Sequence, residues 1–226
     1  MALVRVTQFS VSLDGYATGE GQSLEEPFGH AGMRLHTWMF EPGGPDGERV
    51  RFGLDGALAA TGWDGSIGAE IMGRRKFGPQ TGPWTDEEWR GWWGENPPFH
   101  TPVFVLTHHP RPSLEMEGGT TFHFIDASPE EALEQARSAA GGFDVRIGGG
   151  PTTVREFLSA GLVDLLHVVV NPIVLGRGVS LWEGLEGLER GFDIETVHSP
   201  TSGVTHLLFQ RKGLELTKDL SQREDA

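Results

Sequence analysis

Residues 3–9, LVRVTQF, alternate apolar and polar side chains, the period of a strand with one face buried. The same pattern predicts strands over 67–72 (IGAEIM), 120–125 (TTFHFI) and 144–147 (DVRI). VFVLT at 103–107 and LLHVVV at 165–170 are unbroken apolar runs, as expected of strands covered on both faces. Helical spacing occurs over 31–40 (AGMRLHTWMF) and, more weakly, over 48–61, with Gly62 as its end. SPEEALEQARSAAGG carries stronger start signals. Ser128 is placed as N-cap, Pro129 at the first helical position and Glu131 to close a capping box, with Gly141 and Gly142 as the stop. A helix over 151–160 puts Val154, Phe157 and Leu158 on one face and ends at Gly161. GFDIETVHS and VTHLLFQRK, joined by PTSG, read as a closing antiparallel hairpin. Strands and helices alternate through the middle of the chain. The expected fold is α/β: a mostly parallel sheet with helices on its faces and antiparallel strands at one edge.

Two stretches lack a period. Residues 12–30 form a Gly-rich connection too long for a simple turn, a length often associated with function. Residues 79–102 hold four of the seven tryptophans and read as an irregular insertion, a lid or an interface. With neither linker nor internal repeat, one domain over 1–212 is expected, followed by a polar tail over 213–226.

Composition narrows the partners. The 226 residues carry 32 acidic and 18 basic side chains, a formal charge of −14, which argues against nucleic acid or anionic lipid as the main partner. A polyanionic ligand would need a local cluster of cations. No run of eighteen apolar residues exists, and the alternating start does not read as a secretory signal. The absence of cysteine excludes disulfides and thiolate metal sites and fits a cytoplasmic protein.

The candidate chemistry lies at strand ends. RIGGGPTT, 146–153, places three glycines between a strand and a helix headed by Pro151. Glycine serves there either for a tight turn or for a backbone that must approach a ligand, and free N–H groups at a helix start favour an anion. The spacing is neither G-x-G-x-x-G nor a G-K-[ST] loop. Gly73, Arg74, Arg75 and Lys76 follow the strand at 67–72, as a solvated face or as phosphate partners. Thr107, His108, His109 and Arg111 follow the strand at 103–107, with no acid or cysteine at ligand spacing, so no metal site is expected. One extended phosphorylated ligand lying across the sheet edge explains all three strand ends together.

IMGRRKF, VFVLTHHPR and VRIGGGPTTVREFLSAGLVDLLHVVVNPIVLGRG, with SLDGY near the start, resemble the dihydrofolate-reductase superfamily. The likeness is greatest to the branch holding the C-terminal reductase domain of riboflavin biosynthesis, and it covers roughly residues 3–212. The resemblance implies a dihydrofolate-reductase-like mixed, mostly parallel eight-stranded sheet and an NADPH-dependent oxidoreductase. It implies reduction like that of 5-amino-6-(5-phosphoribosylamino)uracil, or of another small heterocycle or carbonyl. A non-catalytic NADP-binding module is the alternative, and dihydrofolate reductase a lesser one. It further implies that Gly148, Gly149 and Gly150 approach the pyrophosphate, with Thr152 and Thr153 as further donors. Gly73, Arg74 and Arg75 would lie near the adenosine phosphates, and Thr107, His108 and His109 by the ribose and its 2′-phosphate. With no acid expected there to take a ribose 2′-hydroxyl, NADPH is expected over NADH. A cis peptide is implied between two of the glycines, Gly148 and Gly149 being the expected pair. Asp14 would border the nicotinamide and substrate cleft as the catalytic acid, or else merely make the LDGY turn. One position departs from the dihydrofolate reductases: Leu35 stands three residues before Trp38, where they carry an acid, with Glu41 and Asp55 the nearest carboxylates. Relatives in this branch are often homodimers, and the Trp-rich segment with NPIVLGRGVSLWEGL is the expected contact surface.

Overall fold

The computed structural model describes residues 2–39, 53–60 and 66–215. Alternation at the start produces β1 (Val4–Ser12), which lies in the interior of the sheet. On one side of it run β7 (Asp144–Gly149), β3 (Ile67–Gly73), β4 (Pro102–Leu106) and β6 (Thr121–Ile125), each parallel to its neighbour. On the other side lie parallel β8 (Leu165–Asn171), then β11 (Thr205–Arg211) and β10 (Phe192–His198), the antiparallel hairpin expected at the end. The two-residue β5 (Leu114–Glu115) pairs with the far edge and brings this sheet to nine strands among the described residues, where the resemblance implied eight. A second small sheet joins β2 (Tyr16–Thr18) to β9 (Val179–Ser180).

The helix at α3 (Pro129–Ala139) starts as read: Ser128 accepts from the Glu131 amide, and the Glu131 carboxylate takes the Ser128 amide at 2.9 Å. It lays Ala132, Leu133 and Ala136 on one sheet face, and α4 (Pro151–Ser159) adds Val154, Phe157 and Leu158. Fully burying a side chain such as Phe157 stabilises by about 1.5–3 kcal/mol, so this stripe is the main anchor of α4. Part of the other face is covered by the Trp-rich segment. Trp84, Trp89 and Trp93 pack with Phe77, Phe99, Phe122 and Phe124. These three tryptophans are partly buried and cover the core.

One helix expectation changes. The described part of the stretch 31–40, residues 31–39, does not form an α-helix. It forms 3₁₀ turns at Gly29–Leu35 and Thr37–Met39, because Gly32 adopts a positive φ of 53° that a continuous helix cannot contain. The weak helix over 48–61 is present as α1 (Gly53–Ala60); its flanks, Phe40 and Glu41 all lie outside the described residues, as does the tail from 216. No described helix is long and apolar enough to cross a membrane.

Candidate active site

Because β1, β7, β3, β4 and β6 run parallel, their carboxyl ends share one edge, and a cavity of about 1310 Å³ opens there. That exceeds the ~300–1,000 Å³ of ordinary small-ligand sites and leaves room for an extended ligand beside a second one. Gly73, Arg74, Arg75, Thr107, His108, His109, Gly148, Gly149, Gly150, Thr152 and Thr153 all line this one cavity. A register shift in β1 between Val6 and Phe9, with Gln8 at φ 56°, brings Thr7 and Gln8 into the lining as well.

Each glycine of the triplet has its own reason. A Cβ on Gly148 would overlap the Glu70 carboxylate and the Lys76 ammonium. Gly149 has φ 110°, a conformation that L side chains rarely adopt. Over Gly150 nothing lies within 4 Å of where a Cβ would stand, so its backbone faces open cavity. The cis peptide joins Gly149 to Gly150, one bond beyond the expected pair. Gly150 is also the N-cap of α4 and offers no side chain to the first-turn amides, so the start of the helix has no side-chain cap.

Under the glycines sits a charge cluster that no local pattern revealed. Glu70, fully buried on β3, accepts from Lys76 Nζ at 2.9 Å and from Arg146 Nε at 2.8 Å. Burial alone would raise the Glu70 carboxyl, but Arg146 and Lys76 outweigh it and hold it below the usual range. Burial pulls Lys76 down, with Arg146 adding and Glu70 opposing. Lys76 and Arg146 both line the cavity, so one carboxylate faces two cations at its floor.

At the β3 and β4 ends, the Arg74 guanidinium lies 3.7 Å from the centre of the Trp84 ring, with Arg111 4.1 Å from the same ring. Arg74 Nη1 bonds the Gly82 carbonyl and reaches Thr107 Oγ1 at 3.5 Å. Its Nε and Nη2 are sealed from solvent without a partner among the described residues. Trp84 Nε1 donates to the His109 carbonyl at 2.6 Å, tying the insertion to the strand end. An acid does sit in this region, against expectation: Asp126, just past β6, lines the cavity and pairs with His108 Nδ1 at 2.9 Å. The His108 side chain is 91 % exposed.

Asp14 is not part of the cavity lining. Its carboxylate accepts from Ser12 Oγ at 2.6 Å and from the amides of Leu175 and Gly176 at 3.1 and 2.6 Å. The Ser12 hydroxyl above all, with those amides, lowers its carboxyl to about 2. Asp14 thus ties the β1–β2 turn to the loop after β8. Leu35 is fully buried against Ala31 and Leu175. Asp55 is also engaged away from the cavity, accepting from His206 Nε2 at 2.9 Å and Ser199 Oγ at 2.8 Å. No group of three or more His, Cys, Asp or Glu suited to a metal occurs among the described residues.

Residues 5–206 match the family model described as the RibD C-terminal domain. The chain belongs to this family. Three solved structures share its fold. A putative riboflavin biosynthesis protein from Shewanella sp. PV-4 is 20 % identical with a TM-score of 0.55, over 94 % of this chain and 99 % of that one. A pyrimidine reductase-like protein from Corynebacterium diphtheriae is 16 % identical with a TM-score of 0.51, over 93 % and 92 %. A diaminohydroxyphosphoribosylaminopyrimidine deaminase/5-amino-6-(5-phosphoribosylamino)uracil reductase from Thermotoga maritima is 14 % identical with a TM-score of 0.51, over 93 % of this RibD-family chain and 56 % of that one. No curated protein matches the sequence.

Proposed function

We propose that this RibD-family protein is a reductase that binds a nicotinamide dinucleotide, NADPH by preference, along the carboxyl edge of the sheet. It reduces a small heterocyclic or carbonyl substrate, in the manner of the uracil reductase activity named for the Thermotoga relative. One observation carries the reading: a single cavity gathers the glycine backbone, the uncapped start of α4 and two unpartnered donors of Arg74. Buried donors without acceptors are rare, and an anion satisfies them. Gly149, Gly150 and the first-turn amides of α4 would hold a pyrophosphate, Arg74 and Arg75 the adenosine phosphates, and Thr107 and His109 the ribose. A reduced nicotinamide supplies a hydride when bound. The four cations Arg74, Arg75, Lys76 and Arg146 around the cavity oppose the acidic field of a chain with formal charge −14.

Asp126 favours a second reading in which NADH is accepted, since a carboxylate can take a ribose 2′-hydroxyl. Titration with both cofactors, followed by NADPH oxidation with 5-amino-6-(5-phosphoribosylamino)uracil, separates these readings. Tighter NADPH binding with turnover supports the proposal. Equal affinities favour the Asp126 reading, binding without oxidation by any acceptor means a non-catalytic module, and no binding of either cofactor overturns the proposal. The apolar residues Leu13 and Val174, each 62 % exposed, flank the Leu13–Ile173 backbone bond and support a homodimer through the loop after β8.

A further inference from the structure

The cavity wall built from β1 and the 3₁₀ turns carries polar groups of its own. His36 lines it, half-buried, with its ring 4.4 Å from that of Phe28. Its Nδ1 is sealed from solvent and has no partner, leaving Nε2 as the nitrogen that can face the cavity. A sealed N–H without an acceptor is rarer than a sealed lone pair, so the ring proton belongs on Nε2. Burial lowers the imidazole to about 4, so the ring is neutral near neutral pH. It therefore offers one N–H and no charge.

Ser10 lines the same cavity, 6 % exposed. Its Oγ accepts from Trp38 Nε1 at 3.0 Å, which directs one lone pair to the indole and leaves the hydroxyl proton free to donate. Met39 completes the wall. The carboxylates in the cavity lining are engaged or exposed elsewhere: Glu20 pairs with Arg177 at 3.2 Å, Asp126 with His108, and Glu156 is exposed on α4.

We propose that His36 and Ser10 form a neutral pair of donors that contact the substrate and recognise the oxygen of a ring carbonyl. The site thereby selects a ring with an acceptor edge over one with an amidine edge. This deepens the reductase reading and rests on it. An amidine N–H placed against these groups would set donor against donor and leave both unmatched, a larger penalty than a lost apolar contact. A neutral imidazole does not readily give up its remaining proton, so His36 acts as a hydrogen-bond donor that positions the substrate.

The test uses the full chain, labelled with ¹⁵N-histidine and saturated with NADP⁺, with uracil and 2,4-diaminopyrimidine as probes. His36 is expected in the Nε2–H neutral form at about pH 7, and uracil but not diaminopyrimidine should shift its Nε2 resonance. His36→Phe should weaken uracil by at least about tenfold with NADP⁺ affinity within about twofold, and His36→Gln, which keeps a donor, should recover part of the loss. A charged or Nδ1–H His36, a resonance that uracil does not move, or diaminopyrimidine binding as tightly as uracil overturns the proposal. Failure of NADP⁺ to bind overturns the reductase reading instead, and the tautomer measured in the free protein stands apart from it.

Discussion

Replacing Gly148 by alanine adds one methyl group at the cavity floor, and its cost can be worked out from its neighbours. The new Cβ overlaps the carboxylate of Glu70 and the ammonium of Lys76. Glu70 is fully buried and held by Arg146 as well, so it cannot swing aside without leaving a buried charge unmatched. Overpacking costs about 1–3 kcal/mol and breaking a buried ion pair about 3–5, and the two overlap because one movement relieves both. The expected loss is therefore about 3–5 kcal/mol, a large part of the stability of an ordinary domain. Gly191→Ala is the control. Nothing lies within 4 Å of its added Cβ, and it should change stability by no more than about 0.5 kcal/mol. Urea unfolding of the two variants against the parent, followed by far-ultraviolet circular dichroism, gives both numbers. If Gly148→Ala unfolds with the same midpoint as Gly191→Ala, Glu70 is not fixed and the account of the charge cluster fails.

Acid should destabilise the fold before its carboxylates protonate. Burial lowers both His167 and His36 to about 4 from 6.5, so between those values the unfolded chain binds protons that the folded one refuses. Stability is then full above about pH 6.5 and lost as pH falls toward 4, by up to about 3 kcal/mol per histidine. Urea midpoints that stay constant across this window would refute it. Arg74→Ala should weaken NADPH by about 1.5–3 kcal/mol, since a charge-assisted bond is lost, and a titration showing an unchanged Kd would remove Arg74 from the site. Asp14→Asn should speed amide exchange at Leu175 and Gly176 while NADPH affinity stays nearly constant; a loss of NADPH binding would return Asp14 to the cleft. Sedimentation at micromolar concentration should show a dimer that Val174→Glu disrupts, and a monomer of 24.6 kDa alone would rule out the dimer.

What was legible in the chain was local. The Ser128–Glu131 capping box, the buried run that became β4 and the closing hairpin each declare themselves within a few residues. The eleven expected cofactor residues meet in one cavity because strand ends carry them and parallel pairing aligns those ends. The stretch 31–40 misled because its apolar spacing says nothing about Gly32, whose positive φ stops the helix. Glu70, Lys76 and Arg146 could not be linked from sequence, since 76 residues separate the partners Glu70 and Arg146. Asp126 was hidden because it belongs to the end of β6, a strand read for its hydrophobicity alone. His36 was overlooked inside that supposed helix, where its open ring nitrogen has no sequence signature.

The stack of Arg74, Trp84 and Arg111 gives the protein a built-in optical reporter. An indole with two guanidinium groups at 3.7 and 4.1 Å from its ring centre fluoresces in an electric field set by those charges. Any anion that engages the free Nε and Nη2 of Arg74 alters that field at the ring face, and the emission of Trp84 moves with it. Occupancy of the cavity can thus be followed without a label, and the signal traced by comparing the parent with Trp84→Phe.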